Sequence, residues 1–179
     1  MKERAKQFAK EAHHGQQRKV SYNPYITHPI RVAETLERAG CSEEVVCAGY
    51  LHDVVEDTPY DLEDIKKHFG PRVATLVAAN TENQSQSWEE RKQHTIDTVK
   101  TAEKDVKCLI IADKIDNLLS IETHYNQLGE AVWEHFAVGY DCQKWYYTSI
   151  ANNMYSGLHA DEVPTFFREY EEVTKRMFE

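Results

Sequence analysis

The stretch Tyr50 to Pro59, YLHDVVEDTP, places four ionisable side chains, His52, Asp53, Glu56 and Asp57, just ahead of a proline. A neutral imidazole beside a carboxylate is a donor set for a borderline or hard divalent metal. Glu56 and Asp57, one turn further on, are carboxylates able to take a proton from an attacking water. The run that leads in, Val45 to Leu51, is largely apolar and predicts a core helix. On one continuous helix His52 stands over Glu56 and Asp53 over Asp57. Adjacent His52 and Asp53 point roughly 100° apart, yet could converge on an ion beside the last turn. Histidine-aspartate pairs also arise by chance, and a charged helix end is usually just solvated. The pair needs support from elsewhere in the chain.

Two other stretches offer it. Pro24 to Pro29, PYITHP, puts His28 at or near a helix N-cap, because proline suits the first helical position. The second is Val106 to Ile121, VKCLIIADKIDNLLSI, which has the apolar density of a buried helix and yet carries Asp113. An ionised carboxylate in such a place is unfavourable unless paired or bound to a metal. Asp113, Asp116, Asn117 and Ser120 fall at i, i+3, i+4 and i+7, one polar seam. That seam is either the solvated face of an amphipathic helix or the wall of a site; spacing leaves both open. Arg18 and Lys19 lie in a polar loop shortly before His28.

The elements that must position these groups are helical. With 7 Gly, 5 Pro and few alternating β-branched runs, the chain favours helix over sheet. Its 179 residues, 41% hydrophobic, predict one compact domain. Helices are expected over residues 2 to 14, stopped by Gly15, and after Pro29. A central helix capped by Ser42 carries both acidic pairs and stops at Thr58-Pro59. A short helix runs from an Asp61 cap to Phe69, and another from Pro71 to Asn80. TENQSQS, residues 81 to 87, reads as a mobile loop, and Ser87-Trp88-Glu89-Glu90 as a capping box opening a helix through Lys100. The aromatic stretch Glu130 to Tyr155 has roughly helical spacing, and Asp161 opens a last helix with Pro164 in its first turn.

Composition excludes some functions. The formal charge of −9 argues against a broad polyanion-binding surface, hence against nucleic acid as a partner. A phosphate-bearing ligand must be held locally, by a metal and a few basic residues. No apolar run approaches a membrane span and MKERAKQFAK has no leader-like segment, so a cytoplasmic protein free of membrane is expected. Cys41, Cys47, Cys108 and Cys142 show no CxxC spacing and read as reduced core thiols. Oligomeric state is left open, a homo-oligomer included.

The order AHHGQQRK, PYITHP, LHDVVEDT, FG and ADKIDN resembles the HD-domain alarmone hydrolases, the (p)ppGpp-degrading module of the Rel/Spo enzymes and its free-standing Mesh-type relatives. The likeness runs from about Lys6 to Ser120 and more weakly to the helix around Tyr140. It implies an all-α, single-domain helical bundle of the HD phosphohydrolase type over residues 1 to 179. It also implies one divalent metal, usually manganese, held by His28, His52, Asp53 and Asp113. Glu56 and Asp57 match the catalytic acidic pair. Arg18 and Lys19 match basic residues beside the guanine nucleotide, Asn117 a polar nucleotide contact, Ser120 a common threonine, and Tyr140 a tyrosine of the nucleotide pocket. Lys114 is a further candidate for substrate charge. The activity implied is hydrolysis of the 3′-pyrophosphate of (p)ppGpp, without the synthetase domain of the full enzymes.

The chain departs from the pattern in three places. The Arg18–His28 loop is one residue longer and lacks Ser-Gly, Asp116 replaces a histidine, and Leu119 replaces an arginine. These touch recognition of the base and the 5′-phosphates more than metal chemistry. An HD phosphohydrolase acting on another nucleotide or phosphorylated metabolite, and an inactive nucleotide-binding module, are the alternatives.

Overall fold

A computed structural model describes residues 1–179. The fold is all-α: α1 (Lys2–Ala12), α2 (Thr27–Arg38), α3 (Glu43–Leu51), α4 (Val54–Asp57), α5 (Leu62–Phe69), α6 (Pro71–Asn80), α7 (Trp88–Thr101), α8 (Lys104–Leu128), α9 (Tyr140–Asn153) and α10 (Thr165–Phe178). There is no sheet; one isolated antiparallel bridge, Gln17 to Pro24, ties the α1–α2 loop to itself.

Local chemistry explains many of the ends. Ser42 accepts from the Val45 amide, and Asp61 and Ser87 form reciprocal capping boxes with Asp64 and Glu90. Pro71 opens α6 in its first turn, as fixed φ and a missing N–H allow.

Two helices organise the interior. Every residue of α3 from Val45 to Leu51 is buried, and α8 buries Val106 to Asp113 without interruption. Around them α1, α2, α6 and α10 turn their apolar faces inward, and one contiguous core includes residues of α1 through α10. The closest approach is between α2 and α3 at Gly49, where a Cβ would lie 2.8 Å from Leu36 Cδ1 and 3.0 Å from Ala33 Cα. Buried Lys107 donates its ammonium to the carbonyls of Val99, Lys100 and Ser156, closing the C-terminus of α7.

Several expectations need correction. The central helix is broken: α3 ends at Leu51 and α4 begins at Val54, with Asp53 between them at φ −100°, ψ −4°. The apolar pattern runs on through Val54 and Val55, so it hides the break. His28 does lie near a helix N-cap, in the first turn of α2 two residues after Ile26, but Pro29 is not the first helical residue, because α2 starts at Thr27. Residues Gly129–His135 form a 3-10 turn, so Trp133 and Phe136 stand outside α9. Asp161 lies in a second 3-10 turn, and α10 starts only after Pro164. Cys142 is exposed, while Cys47 and Cys108 are buried.

Candidate metal centre and adjoining cavity

The first turn of α2, the α3–α4 break and the middle of α8 bring His28, His52 and Asp113 together. One donor atom from each lies within 4.8 Å of the others, and all three residues are buried. His28 Nε2 is 3.2 Å from His52 Nε2 and 3.1 Å from Asp113 Oδ1. Asp53 Oδ2 approaches the same two nitrogens at 3.0 and 3.5 Å. His52 and Asp53 both keep right-handed helical backbone at the end of α3, and the two adjacent side chains meet beside it, Nε2 to Oδ2 at 3.0 Å.

Hydrogen bonds behind the cluster fix its members. His52 Nδ1 donates to the Gly49 carbonyl at 2.7 Å; a carbonyl can only accept, so Nε2 is the ring nitrogen left to face the cluster. Asp113 Oδ1 accepts from Asn117 Nδ2 at 3.1 Å and its Oδ2 from Lys114 Nζ at 2.7 Å. The Tyr25 hydroxyl donates to Asp53. Burial alone would raise Asp113, but Lys114 and His52 beside it hold it well below the ordinary carboxylate range. Burial alone would lower His52, and the carboxylates of Asp53 and Asp113 outweigh it, raising the imidazole well above its ordinary value. Two imidazole nitrogens and two carboxylate oxygens crowded in a dry place are a donor set for a divalent cation. The residues fit a metal.

Glu56 and Asp57 stand beside the cluster in a different electrostatic state. Burial pushes Glu56 up to about 7, against the backbone N–H of Glu82, which donates to its carboxylate. Asp57 is pushed up to about 6 by the protein around it and by Asp53. Glu82 is itself clamped between Arg91 at 3.0 Å and Lys92 at 2.6 Å. Residues 81 to 87 form a loop, as the sequence suggests, and these contacts tie its Glu82 to α7.

A cavity of about 680 Å³ opens next to the cluster. Asp57, Lys114, Asn117, Ser120, Arg18 and Lys19 all contribute to its wall. Asn117 and Ser120 thus face an interior cavity, and buried Asp113 and Asp116 face other side chains, so the seam of α8 is not a solvated face. Arg18 has both terminal nitrogens 3.4 Å from Asn117 Oδ1 and lies over the Tyr25 ring at 5.9 Å. Its loop is held by Arg18 N–H to Asn23 O and Tyr25 N–H to Gln16 O, each 2.8 Å. Tyr140 is not part of the wall: it packs on Trp133 and Phe178 at 5.3 and 5.7 Å, and Gln143, Tyr146 and Tyr147 of the same helix line the cavity instead.

Sequence reasoning missed Trp88 and Lys92. They line the cavity from α7, with the Lys92 ammonium 5.1 Å from the Tyr146 ring and 5.9 Å from that of Trp88. Their spacing, i and i+4 just past a capping box, was the available signal. Asp116 stood out in the sequence as part of the polar seam and as a departure from the family pattern, with no role assigned. It accepts from His28 Nδ1 at 2.6 Å and from Arg31 through both carboxylate oxygens, at 2.6 and 3.2 Å.

No helix of the structure is long and apolar enough to cross a membrane. The family described as HD domain matches residues 5–138. The guanosine-3′,5′-bis(diphosphate) 3′-pyrophosphohydrolase MESH1 of Drosophila melanogaster is 38% identical over 121 residues, 66% of this chain and 68% of that protein. The crystal structure of lmo0812 from Listeria monocytogenes EGD-e is 52% identical, with a TM-score of 0.82, over 84% of this chain and 98% of that one. A solved metazoan ortholog of SpoT, described as hydrolyzing ppGpp and playing a role in starvation responses, is 28% identical with a TM-score of 0.80, over 98% of this chain and 94% of that one. Two longer relatives, from Synechocystis and Streptomyces coelicolor, are matched over only 15% and 14% of their length. From the extent of the family match and the likeness to MESH1 along most of both chains, this chain belongs to the HD-domain family, among its MESH1-like members.

Proposed function

We propose that this chain is a metal-dependent phosphohydrolase that removes the 3′-pyrophosphate of (p)ppGpp, giving GDP or GTP and pyrophosphate. The observation that carries this reading is a buried His-His-Asp cluster beside two carboxylates of raised pKa, next to a cavity lined by Arg18, Lys19, Lys92 and Lys114. The relatives support it through the substrate in their names. We take all 179 residues as one domain acting in the cytoplasm, with manganese as the metal.

In this reading His28, His52, Asp53 and Asp113 hold the cation, which supplies Lewis acidity at the phosphate and acidifies water. Glu56, poised near neutrality, orients the attacking water and takes its proton, with Asp57 beside it. Lys114 and Lys92 offset the charge of the phosphates. Arg18, over the Tyr25 ring at 5.9 Å, offers a guanidinium plane to the purine, and Asn117 and Ser120 offer hydrogen bonds. Water attacks the phosphorus next to the ribose, and its oxygen stays with the departing pyrophosphate. The 3′ O–P bond breaks, and the ribose 3′ oxygen leaves and takes up the proton that Glu56 received from water, without a covalent enzyme intermediate.

Turnover of ppGpp, pppGpp, GTP, dNTPs and nucleoside monophosphates, each with manganese, magnesium, zinc or no metal, tests the proposal. Manganese-dependent release of pyrophosphate from ppGpp and pppGpp, with little turnover of the others, is the expected result. Hydrolysis of another phosphate ester but not ppGpp transfers the assignment to the wider HD phosphohydrolases.

A further inference from the structure

Buried His28 uses its two ring nitrogens in opposite directions. Nε2 faces His52 and Asp113 across the cluster, at 3.2 and 3.1 Å. Nδ1 faces Asp116 Oδ2 at 2.6 Å. An ionised carboxylate can only accept, so this contact places the ring proton on Nδ1 and turns the lone pair of Nε2 into the cluster. Asp116 is in turn held from its far side by Arg31, Nε to Oδ1 at 2.6 Å and Nη2 to Oδ2 at 3.2 Å. The side chain of Asp116 is 10% exposed, so little water competes for either contact. The chain thus orients its two histidines by different means: a neutral carbonyl, Gly49, behind His52, and a carboxylate behind His28.

We infer that Asp116 is a positioning residue for metal binding: it selects the tautomer of His28 and aims its Nε2 toward the cation, while Arg31 offsets the charge of the carboxylate. This rests on reading the cluster as a divalent-metal site. An acceptor of this kind behind a ligating histidine contributes roughly 10–100-fold in metal affinity. Arg31, in direct contact with Asp116, and Arg18 Nη2, 3.8 Å from its Oδ2, offset its charge, so the effect acts through the hydrogen bond to His28 rather than through added negative charge. Removing Arg31 should therefore leave affinity unchanged or slightly tighter.

The test uses the full chain, stripped of metal, with Mn²⁺ as the probe and affinity read by competition with a chelator. Asp116→Ala is expected to weaken Mn²⁺ roughly 10–100-fold, Asp116→Asn by at least about threefold, and Arg31→Met by less than threefold. Long-range ¹H–¹⁵N spectra of the metal-free protein at pH 8.5 supply a second readout. The Nδ1–H tautomer of His28 should dominate in the wild type and give way to Nε2–H in Asp116→Ala, which a merely structural role would not cause. Thermal melts of the metal-free proteins identify any variant that fails to fold; if Asp116→Ala does, Asp116→Asn decides. Affinity within threefold of wild type in the deciding variant overturns the inference. So does an Arg31→Met loss as large as that at Asp116, which would mean that the α2–α8 ion pair alone matters. Failure of the wild type to bind Mn²⁺ at all would instead remove the metal reading itself.

Discussion

Glu56 is held in a state that is useful for chemistry and unfavourable for folding. Its pKa of about 7 lies above the roughly 4.3 of an unfolded glutamate. The native chain therefore keeps the proton longer, and the metal-free protein loses stability as pH rises through that window. Glu56→Gln should remove this penalty. The metal-free variant is expected to match the wild type near pH 4 and to be more stable at pH 8 by about 1–3 kcal/mol, read from melts at both pH values. With metal, the same variant should retain its ion by elemental analysis and lose about 10²–10⁴-fold in turnover. Loss of the ion would instead make Glu56 a ligand. Arg18 separates binding from chemistry in the other direction. It touches Asn117 and Tyr25 and lies 3.8 Å from Asp116 Oδ2, but contacts none of His28, His52, Asp53 and Asp113 directly. Arg18→Ala should raise KM for ppGpp with little change in kcat, since stacking on the purine is the same in ground and transition states. An unchanged KM would remove Arg18 from the base site.

At the scale of elements, the site depends on how closely α2 and α3 approach. Gly49 does two things there: its missing Cβ lets Ala33 and Leu36 come near, and its carbonyl receives His52 Nδ1. Gly49→Ala forces a methyl group against the backbone of α2 and should destabilise the fold by about 1–3 kcal/mol in denaturant titrations. Because His28 and His52 sit on the two separated partners, metal affinity should fall with it; a stable variant with unchanged affinity would show that the pair tolerates spreading. Much of this architecture was legible in the chain. Ser42, Asp61 and Ser87 announce their helices because capping is local chemistry. Asp113 stood out because an ionisable group inside an apolar run demands a partner, His52 through the acidic residues beside it, and His28 through its place by Pro29 at a helix mouth. The break at Asp53 was not legible, since hydrophobic periodicity continues across it. Nor was the direction of the α8 seam: a polar stripe looks the same whether it meets solvent or a cavity. Trp88 and Lys92 carried only a weak local signal, their i, i+4 spacing, and the embrace of Asp116 by His28 and Arg31 arises from contacts between distant segments, which no local pattern encodes.

The whole molecule carries a formal charge of −9, while the cavity gathers Arg18, Lys19, Lys92 and Lys114. A polyanionic nucleotide approaching from afar meets repulsion before it meets attraction. The Debye length is about 30 Å at 0.01 M salt and about 10 Å at 0.1 M. Added salt therefore erases the distant repulsion first and spares the contacts within the cavity. The usual rule for charged ligands, that salt slows encounter, should invert at low ionic strength: kcat/KM for ppGpp is expected to climb between about 0.01 and 0.1 M salt and to decline beyond it. A monotonic decline across that range would mean that the basic wall governs the approach as well as the binding.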